Sequence, residues 1–193
     1  MKKFLMVVLM AAAAFAAGAA EGTEETLDFS SWYAGVSGGL LLPGNGNTLA
    51  RAAEVSARVG YLLDDGVRSF ELEAACAPNA STHAGHEALT GVAVRHLYHL
   101  SGFEFFDKLF GCERFDPFVS CGGAVRFGSH HAFADRSHRT ALGPTAGFGA
   151  FYHLTDNLDL RGDVQAMLGI DSPCGMLYTV CVGLQWTFGE VGE

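Results

Sequence analysis

The chain has 193 residues, 17% of them charged, and a formal net charge of −9; this length suits one domain plus a processing segment. Setting aside Lys2 and Lys3 in the leader leaves 10 Lys and Arg against 21 Asp and Glu, with Lys108 the single remaining lysine. That balance excludes the electrostatic footprint of a nucleic-acid-binding protein. The five cysteines, Cys76, Cys112, Cys121, Cys174 and Cys181, are scattered, odd in number and without a CxxC spacing, so they form neither a disulfide framework nor a zinc motif.

Residues 1–20 read as a secretory signal peptide. Lys2 and Lys3 supply the positive start, Phe4 to Phe15 a short apolar stretch, and Ala17-Gly18-Ala19 or Gly18-Ala19-Ala20 the small residues of a cleavage site. No cysteine follows that site, so no lipid anchor is expected. Residues 21–31, "EGTEETLDFSS", form an acidic, polar lead-in. From Trp32 onward no helix-period segment of useful length appears, and no apolar run is long enough for a spanning helix.

Short alternating runs broken by Gly, Asn, Asp and Pro recur instead, the signature of an all-β chain. Eight of them occupy 32–42, 50–62, 67–77, 87–99, 117–127, 140–153, 158–169 and 176–188. Most match the ~9–11 residues with which a tilted strand crosses a bilayer. The links "LDDG" (63–66) and "TDN" (155–157) are tight, whereas 78–86, 128–139 and 170–175 are longer. Short turns at one end and longer loops at the other predict an eight-stranded antiparallel up-and-down transmembrane β-barrel over 32–189. The link 100–116 departs from the alternation, and its Phe105, Phe106 and Leu109 suggest a helical turn.

Side-chain phase carries the argument further. Each strand has one face without mid-strand charge, such as Ala34, Val36, Gly38, Leu40 and Leu42 in the first, or Tyr178, Val180, Val182, Leu184, Trp186 and Phe188 in the last. The opposite phase carries Glu54, Arg58, Glu71, Glu73, Arg95, Arg126, Asp159, Arg161 and Asp163, with Gln165 beside them. A soluble, calycin-like barrel would turn its charged face to water. In a membrane barrel the charged face points inward, and an eight-stranded interior is just wide enough to be filled by side chains. These acids and arginines are therefore expected to form an interior ion-pair network that seals the barrel, because an unpaired buried charge is very costly. The tripeptide Arg161-Gly162-Asp163 then lies mid-strand with both charges inward, which removes an adhesion role. On the apolar phase Trp32, Tyr61, Tyr98, Tyr152, Trp186 and Phe188 fall at the end of the tight turns, as an aromatic girdle at the periplasmic interface. The outward charges Arg51 and Arg68 fall at strand ends, where they cost little.

Four segments carry a family resemblance. "WYAGVSGGLLLP" (32–43) resembles the opening strand of small outer-membrane β-barrel proteins of the OmpA/OmpX-like class. "FDPFVSCGGAVRFG" (115–128) resembles their fifth strand, "GPTAGFGAFYHLTDNLDLRGDVQAML" (143–168) their sixth-to-seventh hairpin, and "YTVCVGLQWTFGE" (178–190) their closing strand. One departure is that Phe188 is followed by "GEVGE" rather than ending the chain. The resemblance implies the fold and an outer-membrane location after export, with no catalytic motif.

Three classes of function compete. A sealed barrel would act structurally or through its surface loops, as a monomer whose partners are outer-membrane lipids and an unnamed envelope or extracellular molecule. An enzyme acting on envelope lipid would need a nucleophile beside a histidine, for which Ser81, His83, His86 and Glu87 are available. A small channel is opposed by the filled interior. No cofactor is expected, with one exception: His83 and His86 in one loop and His130, His131 and His138 in another, near Glu87 and Asp135, have the chemistry of a surface zinc or copper site. Cys76 and Cys174 fall toward that same end, where a disulfide would tether the loops.

Overall fold

The computed structural model describes residues 32–44, 51–63, 66–82, 85–100, 114–128, 140–170 and 175–188. Eight strands follow one another along the chain: β1 (Trp32–Pro43), β2 (Ala52–Leu62), β3 (Arg68–Thr82), β4 (Gly85–His99), β5 (Phe115–Phe127), β6 (Thr140–Thr155), β7 (Leu158–Leu168) and β8 (Met176–Phe188). Each pairs antiparallel with its neighbour in sequence, and β1 closes on β8 from Trp32 opposite Phe188 to Pro43 opposite Leu177. Closure leaves no unpaired sheet edge, so the wall satisfies its own backbone groups without help from solvent. Trp32 and Phe188 mark the terminal end of the barrel; the opposite end is the loop end.

Two connections at the terminal end are tight. Between β2 and β3, Leu63 N–H donates to the Arg68 carbonyl at 2.8 Å and Gly66 N–H to the Leu63 carbonyl at 2.9 Å. Gly66 has φ of +66°, a left-handed conformation natural to glycine. Only Asp156 and Asn157 separate β6 from β7.

Strand boundaries differ from the sequence reading at the end of β6, which runs on to Thr155, and around two prolines. The segment 78–86, expected as a long loop, mostly continues β3 and β4. Ala80 pairs with Glu87, Ser81 with His86 and Thr82 with Gly85, beyond a register shift at Pro78 and Asn79. The proline withholds a ladder N–H, and the shift absorbs it without ending the strand. β5 begins at Phe115 rather than 117, because Pro117 sits within the ladder opposite Ala150 and its carbonyl accepts from Leu100 N–H at 2.7 Å. The leader, the lead-in and residues 101–113 lie outside the described residues, as does the helical turn expected in that link.

The wall is inverted relative to a soluble barrel. Its outer face exposes Val36, Val55, Val94, Phe148, Val182 and Trp186, while Glu54, Arg58, Glu71, Arg95, Arg161 and Asp163 are buried inside. Three layers fill the interior. Leu41, Leu89, Met167 and Leu177 pack among small alanines at the loop end. Leu97, Phe118 and Phe151 pack toward the terminal end. The charges lie between these apolar layers. This is the architecture of a transmembrane β-barrel, in which only the outside meets hydrocarbon.

Candidate functional site

Period-two alternation sends the charged residues of β2, β3, β4, β5 and β7 to one interior, and barrel closure decides which of them meet. Arg161 on β7 binds Glu71 on β3 through Nη1 and its own neighbour Asp163 through Nε at 2.9 Å. Arg95 on β4 bridges Glu71 and Glu73, reaching the latter at 2.5 Å. Arg58 on β2 donates across the barrel to Asp163 at 2.9 Å and approaches Glu73 at 3.7 Å. Glu71, Glu73 and Asp163 are thus each shared by two guanidiniums. Arg126 on β5 grips Glu54 on β2 with both terminal nitrogens, at 2.5 and 3.1 Å. Gln165 Nε2 and Cys181 Sγ donate to the remaining oxygen of Asp163 at 3.1 and 2.9 Å. Such charge-assisted, multiply shared bonds offset the desolvation of the ions, which a single pair would not.

Asp159 stands apart from this network. It pairs with His153, whose Nδ1 lies 2.7 Å from Oδ1. His99 and Asp116 form a similar pair, with Nδ1 2.5 Å from Oδ2. Neither His99 nor Asp116 entered the sequence-derived set. Asp116 fell outside the expected fifth strand because Pro117 was read as its boundary, whereas alternation from Arg95 through Leu97 does place His99 inward. Tyr33 is also inward, on β1; its hydroxyl donates to Glu71 at 3.3 Å and contacts Ser69 Oγ at 3.4 Å.

The interior has little free space. A cavity of about 10 Å³, bordered by Glu73, Arg126, Thr145, Gln165 and Thr179, has room for about one water. Arg161 covers the rings of Phe118 and Phe151, 4.8 and 5.0 Å from their centroids. The polar layer therefore meets the lower apolar layer without a gap.

Ser69, His99 and Asp116 have the connectivity of a nucleophile, a base and its carboxylate, with Ser69 Oγ 3.1 Å from His99 Nε2. Their surroundings do not suit acyl transfer. Ser69 is fully buried, opposite Leu62 and Leu97 in two ladders. No ester carbonyl fits beside its Oγ, and the ladders occupy the backbone donors an oxyanion needs. The three residues form a hydrogen-bond chain. The nucleophile considered from sequence, Ser81, pairs with His86 across the β3–β4 hairpin, so His86 belongs to a strand rather than a loop. His83, His130, His131 and His138 lie outside the described residues, as does Cys174; Cys76 is a free, half-buried thiol. Among the described residues no group of three or more His, Cys, Asp or Glu is placed to hold a metal ion.

On the outer wall, Trp32 lies opposite both Tyr61 and Phe188, with the Trp32 and Tyr61 rings 5.2 Å apart. Tyr98, Tyr152 and Trp186 are exposed toward the terminal ends of β4, β6 and β8. Phe70 adds a ring from β3, stacked on His96 at 4.6 Å, and His96 meets Tyr98 edge-on at 4.5 Å. Arg68 lies opposite Tyr98 at this same level.

No protein-family model and no curated protein matches the chain. Among solved structures it is similar to Neisserial surface protein A (NspA), with a TM-score of 0.59 and 13% identity over 81% of this chain and 97% of that one. It is similar to the E. coli outer membrane protein W, with a TM-score of 0.54 and 13% identity over 82% and 98% of the two chains. A third is Ail, the attachment invasion locus protein of Yersinia pestis, solved with the heparin analogue sucrose octasulfate, with a TM-score of 0.51 and 10% identity over 82% and 97%. At these identities the likeness is one of fold: small outer-membrane β-barrels of eight strands.

Proposed function

We propose that this protein is a sealed barrel of a bacterial outer membrane, with both termini on the periplasmic side, acting as a structural element and as a platform for its outer loops. Export by the leader and the neighbours' outer-membrane residence support the location. One observation carries the sealed reading: three carboxylates, Glu71, Glu73 and Asp163, interlock with Arg58, Arg95 and Arg161 across the full width of the interior. A hydrated ion would have to displace several charge-assisted bonds at once and then pass the apolar layer around Leu41, Leu89 and Leu177. That barrier argues against a channel. Ser69 is fully buried, which argues against acyl transfer on lipid at the Ser69–His99–Asp116 chain. The expected result is that refolded protein migrates differently before and after boiling and, inserted into planar bilayers, gives no unitary conductance. Discrete single-channel steps from the heat-modifiable form would overturn the sealed reading.

The girdle adds a measurement of placement. Trp32 and Trp186 are the chain's two tryptophans, and both belong to the terminal-end ring of aromatics, whose amphipathic edges favour the headgroup boundary. Brominated lipids should quench their fluorescence most strongly when bromine sits near the carbonyl region. Strongest quenching from the acyl-chain ends would contradict this placement.

A further inference from the structure

The inward faces of β6, β7 and β8 carry three buried, uncharged polar side chains on the loop side of Asp163: Thr145, Gln165 and Thr179. Gln165 lies opposite Thr179 in the β7–β8 ladder. Across the interior the wall of β3, β4 and β5 is nearly bare, with Ala75, Gly91, Ala93 and Ala124 in the inward phase. Arg126 requires that bareness. A Cβ at Gly91 would come within 2.4 Å of Arg126 Cδ, so Arg126 crosses β4 because Gly91 has no side chain, and then reaches Glu54 on β2. The cavity of about 10 Å³ lies between the bare side and the polar side and is bordered by both.

Thr145 sets the chemistry of this cavity. It is 6% exposed, and among the described residues its Oγ1 has no hydrogen-bond partner. A buried hydroxyl in that state bears its full desolvation cost, and native interiors rarely keep one. Two neighbours on the cavity wall have capacity to spare. Gln165 donates through Nε2 to Asp163 at 3.1 Å and retains Oε1 as an acceptor. Thr179 donates through Oγ1 to Glu54 at 3.5 Å and retains its lone pairs. We infer that one water molecule is bound in the cavity, hydrogen-bonded to Thr145, Gln165 and Thr179. Because Thr179 is tied to Glu54 and Gln165 to Asp163, this water joins the Glu54–Arg126 pair to the central ion-pair network.

Size and charge select water over other occupants. The volume accepts about one water and nothing larger. A cation would sit against Arg126 and an anion against Glu73, which both border the cavity. The charges here are already matched, Arg126 by Glu54 and Glu73 by Arg95 and Arg58. A neutral molecule that donates and accepts at once serves a hydroxyl and an amide oxygen together, and buried waters typically make about three such bonds. Met167 and Leu177 of the loop-end apolar layer border the cavity as well. The water is therefore a single fixed solvent molecule between that layer and the ion pairs, rather than one member of a file through the barrel.

Two measurements on the full chain refolded in detergent test the site. A crystal structure that resolves ordered solvent should show one water peak within hydrogen-bond distance of Thr145 Oγ1 and of Gln165 or Thr179. Thr145→Val keeps the side-chain shape and removes the hydroxyl. With water bound, the variant takes away one of its partners, and the urea midpoint should fall below that of the native chain. In a dry cavity the same change replaces an unpaired buried hydroxyl by a methyl group, and the midpoint should rise. Lack of solvent density at the cavity, density with the coordination of an ion, or a midpoint at or above the native value overturns the water site. Should Thr145→Val not refold, the density in the native chain alone decides.

Discussion

Arg161→Leu should destabilise the folded barrel by roughly 3–5 kcal/mol, the cost of breaking a buried charge network from one side. The guanidinium is 2% exposed, binds Glu71 and Asp163, and reaches Gln185 Oε1 at 3.4 Å. Leucine fills part of the volume and packs against Phe118 and Phe151, yet returns none of the charge. Glu71 would keep Arg95, and Asp163 would keep Arg58, so the loss falls short of two stranded ions. The partners of Arg161 are Glu71 and Asp163, whereas Asp159, two residues before it on the same face, sits with His153. A urea titration in detergent reads the effect, and a midpoint equal to that of the native chain would remove Arg161 from the network.

Phe151→Ala should cost about 3–5 kcal/mol, by lost burial and by the cavity left behind. The ring is 2% exposed, lies 4.9 Å from Phe118 and 5.6 Å from His99, and forms part of the surface under Arg161. Its partner Phe118 depends on a neighbour's lack of side chain: a Cβ at Gly149 would come within 2.6 Å of the Phe118 ring. The layer therefore has little freedom to collapse into the gap. Phe151→Leu, which keeps most of the volume, should cost under about 1.5 kcal/mol. Equal urea midpoints for Phe151→Ala and Phe151→Leu would show that this layer relaxes freely.

The interior phase of the strands was legible because every interior charge of the network except Arg95, which precedes His96, has apolar or glycine neighbours at one residue on either side. In β7, Asp159, Arg161, Asp163 and Gln165 alternate with Leu158, Leu160, Gly162, Val164 and Ala166, so one choice of face places every charge together. The lower apolar layer was only partly legible. Alternation from Arg95 places Leu97 inward, but Phe118 and Phe151 are flanked by outward Val119 and Tyr152, and where both faces are apolar the alternation carries no contrast. Strand ends were missed for a related reason. Pro78 and Pro117 resemble breaks in a linear reading, but a ladder accommodates a proline at a register shift or where no donor is needed.

What the sequence by itself determined about this protein is the count of strands, their order and the face each turns inward. A side-chain period of two and a set of turn residues are local properties, and local properties can be read along the chain. Only the tertiary structure decided the pairings. Arg58 meets Asp163 across 105 residues, Arg161 meets Glu71 across 90, and Arg126 meets Glu54 across 72. These partners sit on strands that are not hydrogen-bonded to each other, β2 with β7, β3 with β7 and β2 with β5. Which arginine reaches which carboxylate depends on the stagger with which the sheet closes and on the width of the interior. Both are properties of the whole barrel, absent from any single strand.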